Sequence, residues 1–151
     1  MNDRLFPVAQ ETYTSDDYWT PRWIFDKLGL VFDVDVACPP EGPPNTPCRT
    51  WFTQEDDGLV QEWRGRVWMN PPFSRPSPWV DKFMKHGNGI ALVPFAKSKW
   101  CQTLFEKADA VLFLPANLKF DQGSIPMPVG LWAIGQQNVD ALRDSGIGPV
   151  R

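Results

Sequence analysis

Val67-Trp68-Met69-Asn70-Pro71-Pro72-Phe73 is the stretch that decides the fold. Three bulky apolar residues of good strand propensity run straight into two prolines, which have no N–H to give a ladder, so a short buried strand must stop at Asn70. Downstream, strand and helix signals alternate. Ser77-Pro78 is an N-cap and first-turn signature, Trp79, Val80, Phe83 and Met84 form an apolar stripe, and Gly87 closes that helix. Residues 89–94 are an apolar run of strand length. Residues 98–108 read as a helix with Trp100, Leu104 and Phe105 inward, and residues 110–114 as the next strand. Such alternation specifies a mostly parallel sheet covered on both faces, a three-layer α/β domain whose ligands sit beyond the carboxyl ends of its strands.

Working outward, residues 1–17 are polar and unpatterned and read as an N-terminal arm, with a single domain over residues 18–151. Thr20-Pro21 opens a helix that Gly29 stops. Residues 31–37 alternate, with Phe32, Val34 and Val36 on one face and Asp33 and Asp35 on the other, which is the pattern of a strand. Residues 38–49 hold five prolines, so no helix runs through them, and a short strand near residues 50–53 precedes the turn Asp56-Asp57-Gly58. Beyond residue 114, short strands at 118–120 and 129–134 have only a Pro/Gly loop between them, which suggests an antiparallel hairpin at one edge.

A chain of 151 residues, 42% hydrophobic and 22% charged, can bury the core of one ordinary domain. Its apolar runs are far shorter than the roughly 20 residues of a membrane span, and Met1-Asn2-Asp3-Arg4 does not begin a signal peptide. Three cysteines without a C-x-x-C spacing suggest a reduced, cytoplasmic protein. The net charge of −3 is unevenly spread: 4 basic and 12 acidic side chains in residues 1–63, 7 against 1 in residues 64–99, and 4 against 5 thereafter. The acidic total excludes a general nucleic-acid coat, but the basic middle third can meet a phosphate backbone locally or form a solvated charged face.

Asn70-Pro71-Pro72-Phe73 lies where such a sheet puts its chemistry. The carbonyls of Asn70 and Pro71 cannot enter a helix ladder and remain as acceptors beside the Asn70 side-chain oxygen. Converging acceptors with Phe73 as a flat wall suit a planar group bearing NH2, such as a nucleobase amine. Accepting both amine protons keeps the nitrogen lone pair out of ring conjugation and makes it nucleophilic, while Phe73 stacks on a flipped base. The same residues also read as a plain Pro-Pro strand terminator followed by a core Phe. His86, alone among the residues in being histidine, fits the electrostatics of a helix end. Cys38, Cys48, Cys101 and His86 lack finger-like spacing, so no metal site is expected. Asp33 and Asp35 form either an acid–base pair or, better, part of a cofactor site. Thr20-Pro21 reads equally as a helix cap. Trp19 and Trp100 flank predicted loops where they are able to stack on adenine rings, and Lys97 and Lys99 are either phosphate contacts or a solvated loop.

One ordered set of segments carries a family resemblance: Trp19-Thr20-Pro21 before a helix, Phe32-Asp33-Val34-Asp35-Val36-Ala37, Trp51-Phe52-Thr53 with Glu55-Asp56-Asp57-Gly58-Leu59, Trp63, the 67–73 stretch, Leu92-Val93-Pro94 and Lys119-Phe120. Over about residues 18–135 the chain resembles the small phage-type N6-adenine DNA methyltransferases (Dam-like). The resemblance implies a Rossmann-like domain and transfer of methyl from S-adenosylmethionine to the adenine N6 amine of double-stranded DNA. It implies that Asn70 and Pro71 grip the amine within the rigid Pro71-Pro72 loop and that Phe73 stacks on the target base. Trp19, Thr20 and Pro21 would line the cofactor's methionine part, Asp35 and Ala37 its amino-acid portion, and Asp57 its adenine, with Leu59 or Trp63 as apolar wall. Arg75, Lys97 and Lys99 would meet DNA. The setting implied is a phage or prophage gene expressed in a bacterial cytoplasm, within a restriction–modification context, with a homodimer as one way to extend base recognition. Where such enzymes carry a glycine-rich turn and a helix after the first strand, this chain has Ala37-Cys38-Pro39-Pro40-Glu41-Gly42. The rival reading is a catalytically inactive DNA-binding or anti-restriction module, and the amine grip alone equally fits cytosine N4 or RNA.

Overall fold

The computed structural model describes residues 19–115, 118–120 and 123–151. The expected arm at residues 1–17 and part of the loop near residues 116–122 lie outside the described residues. The elements run α1 (Arg22–Leu28), β1 (Phe32–Asp35), β2 (Cys48–Trp51), β3 (Val67–Met69), α2 (Ser77–His86), β4 (Gly89–Pro94), α3 (Lys99–Lys107), β5 (Ala110–Phe113), β6 (Lys119–Phe120), β7 (Gly123–Ser124), β8 (Val129–Ile134) and α4 (Gln136–Ser145). Six strands form one sheet in the order β2-β1-β3-β4-β8-β5. The β1–β2, β1–β3 and β3–β4 pairs are parallel, and β8 runs antiparallel to both neighbours, so five strands share one direction. This is the Rossmann-like, mostly parallel α/β sheet that the alternation specifies.

Two cores make the three layers. On one face, Ile24, Phe25 and Leu28 of α1 and Val139 and Leu142 of α4 pack over Phe32, Trp68, Ile90, Leu92, Leu112 and Leu131. On the other, Val80 and Phe83 of α2 and Cys101 and Leu104 of α3 cover Val34, Val67, Met69, Ala91, Val93 and Trp132. Trp68, only 1% exposed, meets Phe25 edge-to-face at 4.7 Å and Phe32 at 5.5 Å, contacts that each add about 1 kcal/mol beyond area burial. Among the described residues, no helix is long and apolar enough to cross a membrane.

Several local expectations are corrected. Residues 118–120 do not pair with residues 129–134: β6 pairs with β7 in a separate ribbon, and β8 inserts between β4 and β5. β8 is buried at five of its six positions, and burying both its faces among hydrophobic neighbours outweighs a local hairpin at the edge. Phe32, Val34 and Val36 do not share one face. The N–H groups of Asp33 and Val34 both donate to the Arg66 carbonyl (2.7 and 3.4 Å), a bulge-like step that turns Phe32 to the α1/α4 core and Val34 and Val36 to the other. Helix starts also shift: the N-cap residues of α1 and α2 are Pro21 and Pro76, and neither Thr20 nor Ser77 caps. Phe105, expected inward, is 62% exposed because Cys101 and Leu104 take the buried face of α3. The helix α4, unanticipated from the sequence, carries its apolar contacts at Val139 and Leu142 and ends at Gly146 in the left-handed conformation (φ 70°).

Candidate active site

The chain leaves β1 for β2 on one side and later returns as β3 on the other. The carboxyl ends of β1 and β3 therefore diverge at a topological switch point, where open α/β sheets bind ligands. A cavity of about 610 Å³ lies there, a volume suited to a nucleoside-sized ligand. Asp35 enters it from the end of β1 and Asn70 from the residue after β3.

Asp35 is 3% exposed. Burial pushes its carboxyl up to about 6, against the opposing pull of hydrogen bonds from the Thr46 side chain and the Ala37 N–H, the latter at 3.2 Å from Oδ1. A buried carboxylate of this kind favours a cationic partner. Thr20, 4% exposed, also lines the cavity, and its Oγ1 is buried with no hydrogen-bond partner. An unsatisfied buried hydroxyl costs about 1–3 kcal/mol, which a bound ligand would recover. The Thr20 carbonyl, by contrast, accepts from Asn45 Nδ2 at 2.9 Å.

The acidic loop after β2 forms a second side of the cavity through Asp57, Gly58 and Leu59. Asp57 holds φ at 57°, and its Oδ1 accepts the Leu59 N–H at 3.1 Å, a local turn that an aspartate tolerates. Gly58 is required by close approach, because a Cβ there would sit 2.1 Å from the Val36 carbonyl oxygen. From α2, Lys82 fastens this loop: its Nζ donates to the Leu59 carbonyl at 2.8 Å and to that of Gln61, and it lies 5.1 Å from the Trp63 ring centroid. Desolvation lowers the Lys82 ammonium's pKa, opposed by Asp57. Trp63 Nε1 donates to the Gly58 carbonyl at 2.8 Å. In the sequence Lys82 is one of the seven basic side chains of residues 64–99, with nothing local beyond the spacing Trp79, Lys82, His86 along one helix edge to set it apart as a loop fastener.

Of the residues singled out from sequence, the cavity gathers Trp19, Thr20, Asp35, Ala37, Asp57, Leu59, Asn70, Pro72 and Arg75. Trp79, Asn45 and Thr46 line it as well and were not anticipated. Pro21 and Pro71 are buried outside the lining, and Phe73, half-buried, packs against the α1/α4 core. Lys97 and Lys99 are exposed near the carboxyl end of β4 and do not line the cavity. Trp100 is half-buried against the α2/α3 core rather than in the site. Asp33 and Asp35 do not form a carboxylate pair. Asp33 Oδ2 instead accepts the Arg66 N–H at 2.7 Å, while Asp35 faces the cavity. His86 Nε2 lies 2.6 Å from the Gly65 carbonyl oxygen, away from the cavity lining.

A parallel sheet with one inserted antiparallel strand, opening a nucleoside-sized cavity between an Asp at the end of β1 and an Asn-Pro-Pro loop after β3, defines a Rossmann-like domain of the methyltransferase type. The chain belongs to the DNA N-6-adenine-methyltransferase (Dam) family, whose sequence model matches residues 9–139. It is 40% identical to the DNA N-6-adenine-methyltransferase of Haemophilus phage HP1 (strain HP1c1), covering 71% of this chain and 68% of that protein. It is 34% identical to the DNA N-6-adenine-methyltransferase of Escherichia phage T1, over 70% of this chain and 48% of that protein, so it spans about half the length of the latter. No solved structure matches the chain.

Proposed function

We propose that this protein transfers a methyl group from S-adenosylmethionine to the N6 amine of adenine in double-stranded DNA. One observation carries the reading: Asn70 shares a single cavity with a buried carboxylate, Asp35, and an unpartnered buried hydroxyl, Thr20. The residues present fit the cofactor. Asp35 offers a buried anion to its ammonium, Thr20 Oγ1 a missing hydrogen bond, Asp57 an acceptor for an adenine amine, and Trp19, Leu59 and Trp79 apolar surface. When bound, S-adenosylmethionine supplies a sulfonium methyl for in-line displacement.

In this reading the protein's contribution is alignment, which supplies most of the rate in such a transfer. The Asn70 side-chain oxygen and the Pro71 carbonyl accept hydrogen bonds from the amine, which gives up one proton to solvent as it gains the methyl, and Pro71 and Pro72 keep those acceptors from relaxing. Phe73, whose ring packs on the α1/α4 core, anchors that loop to the domain. Arg75, Lys97 and Lys99 follow the carboxyl ends of β3 and β4, the same end of the sheet as the cavity, where phosphates of the duplex would pass.

The test is incubation with radiolabelled S-adenosylmethionine and unmethylated duplex DNA, wild type beside Asn70→Ala. Label in adenine with the wild type and a loss of roughly a hundredfold or more in the variant is the expected result. Cofactor binding with no label transferred would favour the inactive module, and label in cytosine would move the reaction to N4.

A further inference from the structure

The crossing from β1 to β2 is built unlike the usual one. Parallel neighbours need a connection of about a dozen residues, normally a helix. Here residues 36–47 make the crossing without a helix and include Pro39, Pro40, Pro43, Pro44 and Pro47. A glycine-rich turn would present backbone N–H groups to a ligand, whereas each proline removes one donor. The Cys38 N–H is already given to the Phe52 carbonyl (3.0 Å) and the Gly42 N–H to that of Pro39 (2.9 Å).

The loop offers two adjacent polar side chains to the cavity instead. Asn45 Nδ2 donates to the Thr20 carbonyl at 2.9 Å, tying the loop to a segment 25 residues earlier whose hydroxyl is buried and unpartnered. Thr46 hydrogen-bonds the carboxylate of Asp35. One dipeptide thus holds the two cavity residues that are most in need of a ligand.

We propose that Asn45 and Thr46 are positioning residues that take over the task of a glycine turn, Asn45 setting the Thr20 segment and Thr46 orienting the Asp35 carboxylate toward the cofactor. The proposal rests on the cofactor reading above. The titratable and charged groups around Asp35 are Cys38 of the same loop, Cys48 of β2 and, elsewhere on the cavity lining, Asp57 and Arg75. Burial first, and then Asp35, push the thiols up to about 12 and about 11, so both stay protonated where Asp35 titrates.

The experiment has two readouts on the full chain. The first is the Asp35 carboxyl ¹³C shift of the unliganded protein, followed between about pH 4 and about pH 9. The second is calorimetric affinity for S-adenosylhomocysteine over the same range. Thr46→Val raises the Asp35 midpoint by about one unit and weakens binding about threefold near pH 6.5 and about tenfold near pH 5, with recovery on the alkaline side, and Thr46→Ser restores both. Asn45→Ala weakens binding about tenfold at every pH and leaves the midpoint unmoved, and this arm does not depend on how well Thr46→Val folds. An unmoved Asp35 midpoint in Thr46→Val, or affinity undiminished in Asn45→Ala while the wild type binds, overturns the positioning role and leaves the cofactor reading standing. A wild type that does not bind S-adenosylhomocysteine overturns both.

Discussion

At the end of the sheet where β1, β3 and β4 begin, the Arg66 guanidinium and the buried Asn138 side chain are held by hydrogen bonds. Arg66 donates to Asn138 Oδ1 at 2.7 Å and to Gln137 Oε1 at 2.8 Å, and Asn138 donates to Asn88 Oδ1 and to the Ile134 carbonyl, each at 2.8 Å. At the opposite end, where those strands stop, Asp35 is buried at a desolvation cost and Thr20 Oγ1 has no partner. The two ends have similar residue types and opposite bookkeeping. Polar groups that satisfy one another stabilise the fold, while polar groups left wanting inside a cavity prepare it for a ligand. The basic residues divide in the same way. Arg66 and Lys82 are bound into the structure and Arg64 pairs with Glu62 at 3.0 Å, whereas Arg75, Lys97 and Lys99 lie exposed at the cavity end.

The strongest way to break this contrast is Asn70→Ala, expected to lower methyl transfer roughly a hundredfold or more while thermal melting stays near wild type. A large drop in melting temperature would mean that the cavity end is structural after all. Next comes Asp35. Its folded carboxyl lies near 6, above the unfolded value of 3.8, so the folded state binds the proton more tightly. Stability from this group is therefore greatest below about pH 4 and is lost as pH rises through about 6, by on the order of 2–3 kcal/mol. Asp35→Asn should flatten that part of the pH–stability profile and raise stability at neutral pH while weakening S-adenosylmethionine binding. A parallel profile for the two proteins in denaturant titrations would contradict it.

At the satisfied end, Arg66→Ala strips Asn138 Oδ1 of its guanidinium donor and should cost about 2 kcal/mol of stability with unchanged methyl transfer per folded molecule. Chemical denaturation beside active-site titration separates the two quantities. The smallest effect is that of Lys97→Ala with Lys99→Ala, each expected to reduce the salt dependence of DNA affinity by about one charge without altering cofactor affinity. An unchanged salt slope would assign both lysines to a solvated loop.

The main architecture was legible because it depends on local signals. Apolar strands of β length, helix stripes and Gly stops at Gly29 and Gly87, both left-handed in the structure, are short-range chemistry. The cavity was legible in part: Asp35, Asp57 and Asn70 stand at strand ends or in a turn, which sequence can locate. Phe73 was not resolved, because an aromatic after Pro-Pro reads alike as a stacking wall or a core side chain, and here it packs on the core. Lys82, Asn45 and Thr46 escaped notice because their partners lie 21 to 25 residues away or across a loop, and no periodicity records such a pairing.

What the sequence determined by itself was the order of strands and helices from α1 to β5 and the rigid halt at Asn70-Pro71-Pro72, since both follow from hydrophobic period and from the missing N–H of proline. Only the tertiary structure decided that β8 enters between β4 and β5, that Asp33 turns to Arg66 while Asp35 turns to the cavity, and that the Pro-rich crossing becomes a cavity wall. Those choices are settled by contacts between residues far apart in the chain. Burial and polar satisfaction are properties of the assembled layers, not of any one segment.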